Sequence, residues 1–270
     1  MDKNSNFVEL ERSNKIWAIG SIHSNLKSFL SIKKFIISNF EESDKLIFLG
    51  NIIGLGESSK ETLNSVIDLR FNLMSKFKLK SESIVFLRGA QEEMFSKLLQ
   101  LQLAPNPIEI LQWMFEHGVN KTIRSYGFSD DEVKNISTSG TINITKWTTN
   151  LNRAVQMNPG HKEYFLNLKH AAYSHTKKIL FVNRGVDITR PLSAQSDCFW
   201  WGFQNFSRIQ EPYKTFLRIV RGYESEHFGK SELSSNNVVC TLFKQPLSNK
   251  RILCGVFGEN GEILDLFENN

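Results

Sequence analysis

Three apolar runs each end in a glycine-containing loop: IWAIG-SIHSN from Ile16 to Asn25, LIFLG-NIIGLG from Leu46 to Gly56, and IVFLRG-AQEE from Ile84 to Glu93. The segments between the runs are amphipathic at helical spacing. In NLKSFLSIKKFIISNF, Leu26, Phe29, Leu30, Ile36, Ile37 and Phe40 share a face, and Lys33 falls inside it and must extend its amine to water. From Ser59 to Phe77 the stripe is Leu63, Val66, Ile67, Leu73, Met74 and Phe77, interrupted by Arg70. Strand, helix and strand in that order make a βαβ unit with parallel strands. The loops then gather at one carboxyl edge of an α/β sheet, where chemistry is usually grafted. A third helix is expected from Glu92 to Leu103.

From Ala104 to about His175 the pattern changes to short helical pieces: NPIEILQWMFEHG, NKTIRSYG, DDEVKNI and HKEYFLNLKHAA. The expectation is a helical insertion over 104–175 that caps or flanks the sheet edge. Strands should resume at Ile179 to Val182, Phe216 to Val220, Val238 to Phe243, Arg251 to Phe257 and Ile263 to Phe267. The last two flank GENG and predict an antiparallel hairpin. With 270 residues and 40% hydrophobic content, one large domain over 1–270 is expected.

Cys198, Cys240 and Cys254 have no C-x-x-C spacing and cannot all pair, which points to thiols in a reducing compartment. The amino terminus is polar, without the apolar stretch of a secretory signal, and no run approaches the length that spans a bilayer. A soluble, cytoplasmic protein without a membrane partner is expected. The net charge of +5 is spread rather than blocked, so no specific nucleic-acid partner is indicated. His117, His161, His170 and His175 lack ligand spacing, and Trp113, Trp147, Trp200 and Trp201 read as packing anchors.

The loops themselves carry a resemblance. Gly20-Ser21-Ile22-His23-Ser24 is similar to a GD-x-H-G loop, Gly50-Asn51 through Gly56 to GD-x-x-D-R-G, and Gly89-Ala90-Gln91-Glu92 to GN-H-E. Asn183-Arg184-Gly185 falls on an H-A-G loop and Gly222-Tyr223-Glu224 on a G-H-T loop, with Trp113 through Gly118 and Ser125-Tyr126-Gly127 resembling further signatures between them. The chain thus resembles the calcineurin-like metallophosphoesterases, in the branch that holds bacterial serine/threonine protein phosphatases and symmetrical diadenosine tetraphosphate hydrolases. The resemblance implies a four-layer β-sandwich flanked by helices with a helical cap insertion. It also implies a two-metal site using Mn, Fe, Zn or a related ion.

Under the same comparison most of that site is exchanged. Ser21 stands at the first aspartate and His23 retains the first histidine. Asn51 replaces the bridging aspartate, Ala90 the asparagine ligand, Asn183 the later histidine and Tyr223 the last one. Gln91 replaces the histidine that helps to protonate the leaving group, Gly54 and Leu55 replace an Asp-Arg pair, and Gly202 stands where an arginine is common; Arg88 and Glu92 remain. Two cations about 3.5 to 4 Å apart need carboxylates between them. Asparagine lacks the charge, alanine lacks the donor atom, and neutral tyrosine is a poor ligand. The expectation is therefore no metal cofactor, no catalytic residue beyond the vestigial positions Gln91 and Glu92, and a pseudophosphatase that binds a protein or a phosphorylated ligand.

Arg88, Arg184 and Arg221 stand at three loop ends and, by converging with His23, Asn51 and Asn183, would form an anion pocket. The alternative is a phosphoesterase with Mn or another divalent ion on relocated ligands drawn from Glu57, Glu92, Glu93, Asp187, Glu224, Glu226 and His227. A third reading is an interaction domain whose old pocket is filled by Leu55 and Tyr223.

Overall fold

A computed structural model describes residues 6–137, 140–202, 206–223, 238–243 and 251–268. The chain runs β1 (Phe7–Glu9), β2 (Ile16–Ile19), α1 (Leu26–Asn39), β3 (Lys45–Phe48), α2 (Ser59–Phe77), β4 (Ile84–Phe86) and α3 (Ala90–Leu98). Five helices follow: α4 (Pro107–Glu116), α5 (Val119–Ser125), α6 (Asp130–Ser137), α7 (Thr141–Gln156) and α8 (His161–Leu166). The remaining elements are β5 (Ala171–Tyr173), β6 (Ile179–Val182), α9 (Cys198–Trp201), β7 (Arg218–Arg221), β8 (Val239–Thr241), β9 (Leu253–Phe257) and β10 (Ile263–Glu268).

Two five-stranded mixed sheets result, ordered β10-β9-β2-β3-β4 and β1-β5-β6-β7-β8. In the first, β2, β3 and β4 are parallel while β9 runs antiparallel to β2 and β10; in the second, β6, β7 and β8 are parallel. Side chains alternate across each strand. Ile16, Ala18 and Ile47 therefore face Phe181, Val220 and Cys240 in the core between the sheets, while Trp17, Ile19, Leu46 and Phe48 pack under the helices. A third apolar layer, with Phe199, Trp200 and Phe206, covers the outer face of the second sheet. Burial on both faces explains why β2, β3 and β6 read as unbroken apolar runs.

Four local expectations are corrected. On α1 the core takes Ile32, fully buried, and leaves Leu30 exposed, because of the two only Ile32 packs into the apolar cluster with Phe29 and Ile36. Lys33 instead reaches α2, donating to Ser65 and pairing with Asp68. The expected helix HKEYFLNLKHAA stops at Leu166, and Ala171–Tyr173 becomes a strand paired with β1 and β6. Long-range pairing overrides the local helical pattern there. Strand β1 was not anticipated, and α3 ends at Leu98 before a short 3-10 turn at Leu101–Leu103.

Trp147 and Trp200 are buried as packing anchors, but Trp113 is 42% exposed. Among the described residues no helix is long and apolar enough to cross a membrane. At the end of β2 a Cβ on Gly20 would meet the Leu242 carbonyl oxygen at 1.9 Å. Backbone rather than a yielding side chain stands in the way. Gly20→Ala is expected to destabilise the fold by roughly 2 to 3 kcal/mol, from overpacking where the loop leaves the sheet, measured by denaturant unfolding.

Candidate functional site

The loops after β2, β3, β4, β6 and β7 meet at the carboxyl edges of their strands and are stitched by backbone hydrogen bonds. The Ile22 and His23 N–H groups donate to Asn51 O, Ser21 N–H to Gly222 O, and Gly222 N–H to Asn183 O. His23, Ser24 and Asn51 hold the left-handed backbone region with φ of 48°, 60° and 53°. Such a conformation costs a non-glycine residue about 1 to 2 kcal/mol, and the bonds from His23 N–H to Asn51 O and from Ser24 N–H to Ile52 O hold it. Gly50 is required in its place: its φ is 85°, and a Cβ there would lie 2.7 Å from Gly89 N.

Glu92, at the start of α3 and wholly buried, organises the second loop. Its carboxylate accepts from Asn51 N at 2.8 Å, Ile52 N at 2.7 Å, Ile53 N at 3.3 Å and Gly89 N at 3.1 Å, and the Tyr164 hydroxyl donates to it at 3.1 Å. Burial pushes its pKa up, while the Asn51, Ile53 and Ile52 amides act in the opposite direction. The bond to Gly89 N caps the start of α3, and those to Asn51, Ile52 and Ile53 N reach into the β3 loop.

Beside it, Ser21, Asn51 and Asn183 form a buried polar cluster. Asn51 Oδ1 accepts from the Gln91 backbone N–H at 3.1 Å, which can only donate, so Nδ2 must face inward. There it donates to Ser21 Oγ at 3.3 Å and, at a long 3.5 Å, to Asn183 Oδ1. Asn183 is oriented from the opposite side, its Nδ2 donating to Leu49 O at 2.5 Å, which can only accept. Two backbone groups thus set both amides, and an N–H donor points into the space where a bridging carboxylate would hold cations. Ala90 offers no donor atom. This set does not fit a pair of divalent ions, and among the described residues no three His, Cys, Asp or Glu side chains come together as a metal site.

His23 is buried with its ring edge-on to Tyr223 at 5.0 Å and to Phe243 at 6.3 Å. Among the described residues neither ring nitrogen has a hydrogen-bond partner. Burial pushes its pKa down to about 3, against an opposing effect of the Ile53 backbone, so it is a neutral imidazole at physiological pH. Burial raises Tyr223 as well, leaving it a neutral phenol. Gln91 Nε2 donates to His117 O at 2.9 Å.

Each of the three arginines lies over an aromatic ring. Arg88 pairs with Glu93 and lies 5.7 Å from the Trp200 ring. Arg221 is buried with its guanidinium 4.3 Å from the Phe206 ring and its Nε bonded to Thr241 at 2.8 Å. Arg184 lies over the Tyr223 ring at 5.7 Å and beside Gly202, where a Cβ would meet its Nε at 2.8 Å. Of the relocated-ligand candidates, Glu57 pairs with Arg124, Glu93 with Arg88, and Asp187 with Arg190. Glu224, Glu226 and His227 lie outside the described residues.

Sequence reasoning missed the contacts that seal the site from the insertion side. Ser24, Ser59 and Thr122 form a buried hydroxyl chain with steps of 2.6 and 3.0 Å, and Lys121 Nζ donates to Leu55 O at 2.9 Å. Helix α5 is thereby fastened across the second loop. Small hydroxyl residues in polar segments give no periodic signal by which to find such a chain.

No protein-family model matches the chain, and no curated protein matches it. Solved structures share its fold at low identity. A protein provisionally assigned as a diadenosine tetraphosphatase aligns with a TM-score of 0.55 at 13% identity, over 98% of this chain and 99% of its own. A cold-active protein tyrosine phosphatase aligns at 0.52 and 12%, over 97% and 82%. The cold-active protein-tyrosine phosphatase of a psychrophilic Shewanella species aligns at 0.50 and 12%, over 99% and 84%. The two mixed sheets with flanking helices have the architecture of the calcineurin-like metallophosphoesterase fold.

Two histidines set an acid limit on stability. His161, bonded to Tyr126 and Asn64, is pushed down to about 4 by burial, and His23 to about 3. Both are neutral when folded and protonate near pH 6.5 when unfolded, so stability is complete above that pH and is lost as pH falls. The slope from each is roughly 1.4 kcal/mol per pH unit, running from pH 6.5 down to the folded value. Unfolding curves between pH 7.5 and 4.5 should show this loss, and His23→Gln should flatten it; a pH-independent midpoint in the parent protein would contradict the burial of both imidazoles.

Proposed function

We propose that this chain is a pseudophosphatase: a non-hydrolysing protein of the metallophosphoesterase fold, from the serine/threonine phosphatase and diadenosine tetraphosphatase branch, that works as a binding module. The observation carrying this reading is the Ser21–Asn51–Asn183 cluster, whose inward donor is an amide N–H where charge compensation for two cations would be needed. Gln91 supports it: its Nε2 donates to His117 O, and among the described residues no leaving-group acid stands beside that space.

Between a protein and a phosphorylated ligand, the charge distribution favours a protein. Arg88 is taken up by Glu93, and Arg221 packs against Phe206, so neither guanidinium is offered to a phosphate in the site.

Purified protein supplied with Mn, Fe, Zn, Mg or Ni is expected to turn over neither phosphopeptides nor dinucleoside polyphosphates. Metal-dependent hydrolysis that disappears in His23→Ala would overturn the proposal. Asn51→Asp tests the cluster directly. A carboxylate oxygen would then face the Asn183 Oδ1 acceptor, which should lower stability by about 1 to 3 kcal/mol. Added manganese should not restore it in a thermal melt; restoration would mean that the remaining donors suffice for a metal.

A further inference from the structure

Away from the amide cluster, the end of α3, the last turns of α7 and α8 enclose a groove of about 330 Å³, at the small end of sites that take an organic group. Asn152 fastens α7 to the end of α3, its Nδ2 donating to Leu99 O at 2.9 Å, and Phe165 of α8 packs on Phe95 of α3 with ring centroids 5.3 Å apart. The walls are therefore fixed to one another. Val155 and Phe165, both buried, give the groove an apolar lining, and Leu166 stands at it 72% exposed. Ser21, Asn51, Ala90, Asn183 and Tyr223 do not line it.

The polar lining is unevenly charged. Arg88, Lys97 and Lys162 stand against the single carboxylate of Glu93, which Arg88 already pairs and from which Lys97 Nζ lies 3.9 Å away. One carboxylate does not neutralise three cations. The helices around it add no further acid to the lining: the 16 residues of α7 include no Asp or Glu, and Glu163, the acid of α8, does not line the groove. Two polar atoms of the lining residues, Arg88 Nε and Ser96 Oγ, are buried and have no hydrogen-bond partner among the described residues. Buried donors are nearly always satisfied in folded proteins, and each of these two can donate to an acceptor that a ligand brings.

We propose that this groove docks an acidic peptide segment of a partner protein, in which apolar side chains are flanked by carboxylates; the inference rests on the reading of the chain as a protein-binding module. The apolar side chains lie on Val155, Phe165 and Leu166. The carboxylates take Lys97 and Lys162, and a peptide carbonyl accepts from Ser96 Oγ or Arg88 Nε. Two separated monoanions match two ammonium groups that come from different helices. A phosphorylated side chain matches less well, because its second charge would stand beside the Glu93 carboxylate while the Arg88 guanidinium is already paired.

Titration with the peptide acetyl-Glu-Leu-Phe-Glu-amide, in EDTA and followed by amide-resolved NMR, should saturate with a dissociation constant below about 1 mM and shift amides within 96–100, 152–156 and 162–166. The Gln-Leu-Phe-Gln and Glu-Ser-Ser-Glu counterparts should each bind at least about fivefold more weakly. Lys97→Glu combined with Lys162→Glu should weaken the acidic peptide about tenfold or more, and Leu166→Ser should weaken it as well. All three side chains are exposed, so these substitutions leave the packed core intact. Failure to saturate by about 10 mM, equal affinity for the uncharged peptide, shifts confined to other residues, or an unaltered double variant would each overturn the proposal. So would pelleting with phosphatidylserine vesicles in the absence of saturable peptide binding, which would assign the lysines and Leu166 to a membrane surface. Hydrolysis in the metal-supplied assay would sink the non-hydrolysing reading and leave these EDTA titrations unchanged, so the two failures are told apart.

Discussion

The arrangement of this site depends on one buried carboxylate. Glu92 accepts four backbone N–H groups from two different loops and a tyrosine hydroxyl from α8. Charge-assisted bonds of this kind are worth about 1.5 to 3 kcal/mol each, which offsets the cost of removing the carboxylate from water and of holding His23, Ser24 and Asn51 in left-handed backbone. The loop frame is therefore built by main-chain hydrogen bonding around Glu92. Glu92 is fully taken up by these five donors, and Ser21, Asn51 and Asn183 beside it are uncharged.

The same neutrality runs through the rest of the cluster. Asn51 and Asn183 are each oriented by a backbone group on the side away from the other, and Ser21 completes their hydrogen bonding. His23 and Tyr223, which pack ring against ring, are both held in their uncharged forms by burial. From the insertion side, Thr122 and Lys121 fasten α5 to the second loop, and Gln91 ties α3 to the end of α4. The Gln91 amide thus serves the attachment of a helix.

Much of the fold was legible in the residues. The runs at Ile16, Leu46 and Ile84 became β2, β3 and β4, the amphipathic stretches became α1 and α2, and the GENG segment closed the β9–β10 hairpin, because each carries its own period or turn chemistry. Less legible were β1 and β5, three residues each, which exist only because β5 finds β1 on one side and β6 on the other. Leu30 and Ile32 were exchanged for a related reason: both fit a helical face, and only the packed neighbours choose between them. That positions 21, 51, 90, 183 and 223 carry neither carboxylate nor imidazole was visible in the sequence. What replaced them was not.

The sequence by itself determined the order of those strands and helices that carry their own hydrophobic period, and the chemical types at the loop ends, since hydrophobic period and residue identity are local properties. The tertiary structure alone decided which way each amide faces, that Arg88 is neutralised by Glu93 and Arg221 packed on Phe206, and that Lys97 and Lys162 line one groove. Hydrogen-bond direction and charge compensation depend on which distant groups come within about 3 to 4 Å, and only the folded chain sets those distances.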